Sequence, residues 1–164
     1  MAGRQWLEEG EDFLLCNTDI LYDLDLLELY NKHVQSGSLA TLAVSDRLTS
    51  RYLLFDKDMR LSGWKNAKTE EVKIARPEAS AMEPFAFSGI HVINPRIFSL
   101  IKERGKFSII DLYLRLAQTE PIYAWNHTGA QWLDVGKPER LALAEGLLRQ
   151  MDWSKALLKD SSRD

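Results

Sequence analysis

Short apolar runs and amphipathic stretches follow one another along the chain, and their order predicts an α/β fold. The first run, Phe13-Leu14-Leu15-Cys16, passes into Asn17-Thr18-Asp19. An apolar run bounded by polar residues predicts a strand over 13–18, buried on both faces. Ile20-Leu21-Tyr22-Asp23 carries the chain into a helical pattern across Leu26, Leu27, Leu29, Tyr30 and Val34. Asp23 or Asp25 is the expected N-cap and Ser36-Gly37 the stop. Leu39-Ala40-Thr41-Leu42-Ala43-Val44 is a second buried strand. Strand, helix and strand make a βαβ unit, and so a parallel sheet.

The rhythm then changes. Tyr52-Leu53-Leu54-Phe55 and Arg60-Leu61-Ser62-Gly63-Trp64 read as two strands joined by the polar turn Asp56-Lys57-Asp58. Residues 65–84 hold Pro77 and Pro84 and read as a loop or weak hairpin, a length of irregular chain that is often functional. A strand over 85–93 carries Gly89 at its middle, where a bulge or a close backbone approach is expected. Asn94-Pro95 opens a short helix through Ile97, Phe98, Leu100 and Ile101. Ser108 and Asp111 resemble a capping box for a helix over 109–118. A strand over 121–125 and a turn at 127–130 follow. Trp132-Leu133-Asp134-Val135 is a last short strand, and Pro138 opens a helix through Leu141, Ala144, Glu145 and Leu148. Residues 4–10 read as the end of a helix closed by Gly10, and the tail after 160 is polar.

Composition narrows the classes without choosing among them. At 164 residues, with 45% apolar and 27% charged side chains, the chain suits one globular domain over 1–164. A net charge of −3 and the lack of basic runs argue against nucleic-acid binding. No apolar stretch approaches membrane-spanning length, and Met1-Ala2-Gly3-Arg4 begins no signal peptide. The lone Cys16 fits a reducing, cytoplasmic setting and a place in the core.

Two aspartates stand out because each ends a strand, where open α/β sheets bind ligands. Asp19 closes the first strand and Asp134 the last, and together they suit Mg²⁺, which takes one or two carboxylates and completes its shell with water and phosphate oxygens. Each aspartate has a second reading: Asp19 as an N-cap or turn residue, Asp134 as a carboxylate favoured by the start of a helix. His33, His91 and His127 lack metal-ligand spacing. His33 is expected to face solvent and His91 to be a hydrogen-bonded core residue. No nucleophile elbow, dinucleotide fingerprint or P-loop is present.

Four segments in order resemble the sugar-phosphate nucleotidyltransferase family, in the branch of mannose-1-phosphate guanylyltransferase-like and N-acetylmuramate-1-phosphate uridylyltransferase-like proteins. They are Phe-Leu-Leu-Cys-Asn-Thr-Asp-Ile-Leu at 13–21, Ala-Thr-Leu-Ala-Val at 40–44, Phe-Ser-Gly-Ile-His-Val-Ile at 87–93 and Trp-Leu-Asp-Val-Gly-Lys-Pro-Glu at 132–139. The resemblance implies a Rossmann-like three-layer, glycosyltransferase-A-like α/β fold with a mixed, mainly parallel sheet. It implies transfer of a nucleotidyl group from an NTP to a sugar 1-phosphate, giving an NDP-sugar and pyrophosphate. Asp19 and Asp134 would be catalytic and hold Mg²⁺, while Asn17, Ser88 and Gly89 would bind substrate.

The departures shape the remaining expectations. The family's Gly-x-Gly-Thr-Arg loop and Pro-Lys segment, which bind triphosphate and base, do not stand ahead of Arg4. The expected fold is therefore N-terminally truncated, supplying the metal and sugar half of the site and inactive alone. Its open sheet edge would favour a homo-oligomer or a domain-swapped dimer. Glu-Lys-Pro is missing before the sugar-site strand, which leaves Lys65 or Lys73 as stand-ins, and Lys137 replaces the usual Thr. The alternative function is a non-catalytic α/β module that keeps the fold.

Overall fold

A computed structural model describes residue 7, residues 10–136 and residues 138–149, and its layering follows from one strand. Strand β3 (Ala40–Ser45) is buried along its whole length. Successive side chains of a strand point to opposite faces, so β3 feeds two cores. Ala40, Leu42 and Val44 join a cluster with Leu112, Leu114 and Leu116, while Ala43 joins Leu24, Leu29, Ile90 and Val92. Helix α1 (Leu26–Ser36) covers the second face, and α2 (Ile97–Leu100) and α3 (Ile109–Leu116) cover the first. Each fully buried Leu or Ile in these layers contributes about 1.5–3 kcal/mol of transfer free energy. The result is a three-layer α/β arrangement.

The sheet is mixed. Strands β4 (Arg51–Phe55), β5 (Leu61–Asn66) and β6 (Val72–Ile74) form an antiparallel meander that continues into β7 (Glu83–Ile93), giving the order β6-β5-β4-β7-β3-β8. Strand β1 (Phe13–Cys16) also pairs with β7, antiparallel. The one parallel pair among the described residues joins β3 to β8 (Ile122–Asn126). The expectation of a mainly parallel sheet is corrected here. β1 and β3 run the same way, as a βαβ unit requires, but the long β7 lies between them and pairs antiparallel with both. A returning strand inserted from far along the chain leaves no mark on the local pattern of 13–44.

Three other expectations change. β1 is not buried on both faces: it is an edge strand among the described residues, and Leu14 and Leu15 are 39% and 46% exposed. Cys16 is accordingly half-buried, and burial raises its thiol pKa. Ile20–Tyr22 is not a helical lead-in but strand β2, paired with β9 (Trp132–Asp134). His33 does not face solvent. It is 1% exposed, with Nδ1 2.9 Å from Thr41 Oγ1 and Nε2 3.4 Å from Asp12 Oδ2, and burial lowers its pKa against the pull of Asp12. The helix packs through Leu29 and His33, four residues apart on one face, and leaves Leu27 and Val34 outside.

The caps follow the sequence closely. Asp25 accepts from the Glu28 amide at the start of α1, and the Gly37 amide donates to Val34 O at its end. Ser108 accepts from the amides of Ile110 and Asp111, while the Asp111 carboxylate accepts from Lys73 Nζ at 2.9 Å. Of the loop at 65–84, residues 72–74 add an edge strand to β5. A 3₁₀ turn (Pro138–Arg140) leads into α4 (Leu141–Leu148). The expected helix at 4–10 lies largely outside the described residues, as do Lys137 and the polar tail. Among the described residues no helix is long and apolar enough to cross a membrane.

Candidate active site

Two features of the fold build one cleft. The first is the ribbon of β2 and β9, which pairs Ile20 with Asp134, Leu21 with Leu133 and Tyr22 with Trp132. The Val135 amide donates to the Asp19 carbonyl at 2.8 Å, extending the ladder one step past the strand ends. This pairing brings together two aspartates far apart in sequence. Both carboxylates face the same spot beside Gly136. A Cβ placed there would lie 2.6 Å from Asp19 Oδ2 and 3.2 Å from Asp134 Oδ1. The Gly136 amide donates to Asp134 Oδ1 at 2.9 Å, and Arg140 Nη1 lies 3.6 Å from Asp134 Oδ2. Asp19 is exposed, and its carboxylate has no hydrogen-bond or ion-pair partner among the described residues.

The second feature is a bulge in β7. Leu42 of β3 faces His91, yet Val44 faces Phe87, so β7 carries extra residues between these pairs. Gly89 sits in that excess at φ +75°, and a Cβ on it would lie 2.6 Å from Asn17 Nδ2. The Asn17 amide donates to the Gly89 carbonyl at 2.8 Å. Sequence reasoning expected a bulge or a close approach at Gly89, and both occur. The bulge is pinned from two more directions. Trp132 Nε1 donates to the Ser88 carbonyl at 2.9 Å, and Ser88 Oγ lies 2.7 Å from His127 Nε2 in a buried contact. Burial lowers the His127 pKa.

The cleft holds about 180 Å³ and is lined by Asn17, Asp19, Arg47, Ser88, Gly89, Trp132 and Asp134, with Ile20 and Phe87. All five residues singled out from the sequence therefore line one wall system. Arg47 was missed, since a lone arginine in Asp46-Arg47-Leu48-Thr49 carries no motif. Its guanidinium stacks on Trp132, 3.9 Å from the ring centroid, and Nη2 donates to the Phe87 carbonyl at 2.7 Å. Burial lowers its pKa, countered by the charge of Asp134. Lys65 and Lys73 do not reach the cleft: Lys65 lies over Tyr52, and Lys73 pairs with Asp111. His91 is a core residue, bonded to the Tyr113 hydroxyl at 2.8 Å and held down to about 4 by burial.

A family model described as Nucleotidyl transferase matches residues 1–150. The chain belongs to the nucleotidyl transferase family. Among curated relatives it is 21% identical to the mannose-1-phosphate guanylyltransferase catalytic subunit beta of Drosophila pseudoobscura pseudoobscura, over 79% of this chain and 33% of the relative. It is 23% identical to the Dictyostelium discoideum protein of the same name, over 88% of this chain and 38% of the relative. This member of the family thus spans between 33% and 38% of the length of those relatives. Two solved structures share the fold. A putative glucose-1-phosphate thymidylyltransferase from Bacillus anthracis matches 92% of this chain and 59% of its own, with a TM-score of 0.67 at 16% identity. UDP-glucose pyrophosphorylase from Acinetobacter baumannii matches 96% of this chain and 55% of its own, with a TM-score of 0.64 at 16% identity.

Proposed function

We propose that the cleft is the metal and sugar-phosphate half of a sugar-1-phosphate nucleotidyltransferase site. In that reaction a phosphate oxygen of the sugar 1-phosphate forms a bond to the α-phosphorus of an NTP. The bond from that phosphorus to the bridging oxygen breaks, and pyrophosphate leaves. Little covalent chemistry falls to a protein in such a transfer; positioning and neutralisation of charge dominate. The observation that carries the reading is the convergence of Asp19 and Asp134 beside Gly136, next to the Gly89 bulge.

The residues present fit a divalent ion. Asp19 Oδ2 and Asp134 Oδ1 face one small volume, and a carboxylate oxygen that already accepts one amide bond keeps a further lone pair. Among the described residues no group of three or more His, Cys, Asp or Glu side chains is placed to hold a metal ion, so most of the shell would come from water and phosphate. Mg²⁺ held by these two residues would draw charge from the phosphates as the transfer proceeds. Gly89 lets the Asn17 side-chain amide lie against the backbone at the cleft wall, where it can meet a sugar hydroxyl, and Ser88 is fixed by His127 and Trp132. A non-catalytic module would account for the open β1 edge, but not for carboxylates turned toward one spot.

The test has two readouts. Mn²⁺, standing in for Mg²⁺ and followed by its paramagnetic signal, is titrated into the chain with and without a panel of sugar 1-phosphates. NDP-sugar formation from the four common NTPs is followed by mass spectrometry. Metal binding that Asp19→Asn and Asp134→Asn each abolish, strengthened by a sugar 1-phosphate, is the expected result. A folded chain that binds the ion equally well in both variants, or that neither binds the panel nor forms product, overturns the reading.

A further inference from the structure

Arg47 is the one cation lining the cleft among the described residues, and the nucleotidyltransferase reading gives it no task. Its environment is costly for a guanidinium. Among the described residues one of its five N–H donors is used, on the Phe87 carbonyl, and its Nε is buried without a hydrogen-bond partner. The side chain is nevertheless held firmly, since the Trp132 ring backs its face and the Phe87 carbonyl fixes one corner. Trp132 is itself tied to Ser88. A half-buried cation held 3.9 Å over the centre of an aromatic ring, with donors to spare, is a preorganised anion site. Asp19 and Asp134 line the same cleft, and the charge of Asp134 acts on the guanidinium, so the walls carry both signs of charge.

We propose that Arg47 grips the phosphate monoester of the substrate and thereby makes the site select a phosphorylated sugar over a free one. This rests on the nucleotidyltransferase reading for the identity of the ligand, but the anion site itself does not depend on it. A planar guanidinium can meet two phosphate oxygens through a fixed pair of parallel N–H groups, a geometry that the point charge of a lysine ammonium does not impose. The role would fall to Arg47 because Lys65 and Lys73 are engaged elsewhere. It also explains why Trp132 carries a polar handle: its N–H anchors the Ser88 carbonyl while its face positions the cation.

The experiment titrates inorganic phosphate, glucose 1-phosphate and glucose into the full chain without metal. Calorimetry and the ¹⁵N resonance of the Arg47 Nε–H report binding. Phosphate and glucose 1-phosphate are expected to move that resonance, and glucose to leave it unchanged. Arg47→Gln should weaken both anions by at least about tenfold, the range of one charge-assisted hydrogen bond. Arg47→Lys should recover part of that loss. A urea midpoint measured for each variant separates lost binding from lost folding. Unchanged anion affinity in a folded Arg47→Gln, or no anion binding by the parent chain, overturns the proposal. If anion binding depends on Arg47 while Asp19→Asn and Asp134→Asn leave metal binding intact, the anion site stands and the nucleotidyltransferase reading falls. The reverse pattern removes Arg47 and keeps that reading.

Discussion

Gly89→Ala perturbs the bulge on which the cleft depends, and its cost can be worked out from two separable effects. At φ +75° an alanine enters the left-handed region, a penalty of about 1–2 kcal/mol. Its Cβ would also stand 2.6 Å from Asn17 Nδ2 and 2.9 Å from Asn17 Cγ. The Asn17 backbone is tied to the Gly89 carbonyl at 2.8 Å, so it is the exposed side-chain amide that must turn aside. A side chain pushed off its rotamer costs about 0.5–1.5 kcal/mol, so the expected total is roughly 1.5–3.5 kcal/mol. Gly105 isolates the first effect: its φ is +73° and a Cβ there meets nothing within 4 Å. Gly105→Ala should therefore cost only about 1–2 kcal/mol. Gly63 isolates the second, since a Cβ there would lie 2.8 Å from the Lys73 carbonyl with no positive φ. Urea unfolding followed by tryptophan fluorescence compares the three. Equal losses in Gly89→Ala and Gly105→Ala would refute the close approach of Asn17, and with it the account of how the bulge is held.

Further outcomes follow from charge and capping. Burial holds His91 down to about 4 from 6.5, so between those values the unfolded chain binds a proton that the folded chain refuses. Stability should fall as pH drops from 6.5 toward 4, by about 3 kcal/mol for this group, and His91→Gln should lessen the fall in urea midpoints across that window, His33 and His127 keeping their share. Arg115 holds the Glu103 carboxyl down to about 2 from 4.5, so its contribution is lost only below the upper value, and a second decline confined to that range should vanish in Glu103→Gln. Asp56 accepts from the amides of Asp58 and Arg60 and lies 2.6 Å from Arg76 Nη1. Asp56→Asn should cost about 2 kcal/mol in chemical denaturation, and no loss would mean that Arg76 finds another acceptor. Ser108→Ala removes the cap of α3 and should cost about 1 kcal/mol, with Ser108→Asp restoring it.

Local physics let the sequence determine a good deal. The caps at Asp25 and Ser108, the stop at Gly37 and the buried run of β3 all depend on neighbours a few residues away, and each is readable from spacing. Gly89 was legible for the same reason: a glycine within an apolar strand has few explanations, and a bulge with a close neighbour is one. Asp19 and Asp134 could be chosen as strand-end carboxylates, but whether they meet is a question of pairing. Only the tertiary structure answered it, through the ribbon of β2 and β9, because three apolar residues at 20–22 are too few to show a period. The same limit hid the insertion of β7 between β1 and β3, and with it the exposed edge at Leu14 and Leu15. His33 was misjudged because helix polarity predicts burial only when the buried partner is apolar, and here Thr41 and Asp12 receive the imidazole. Arg47 had no signal at all. A cation becomes part of a site when folding gives it an aromatic face, one carbonyl and a cleft, and nothing in the residues beside it in sequence records those three.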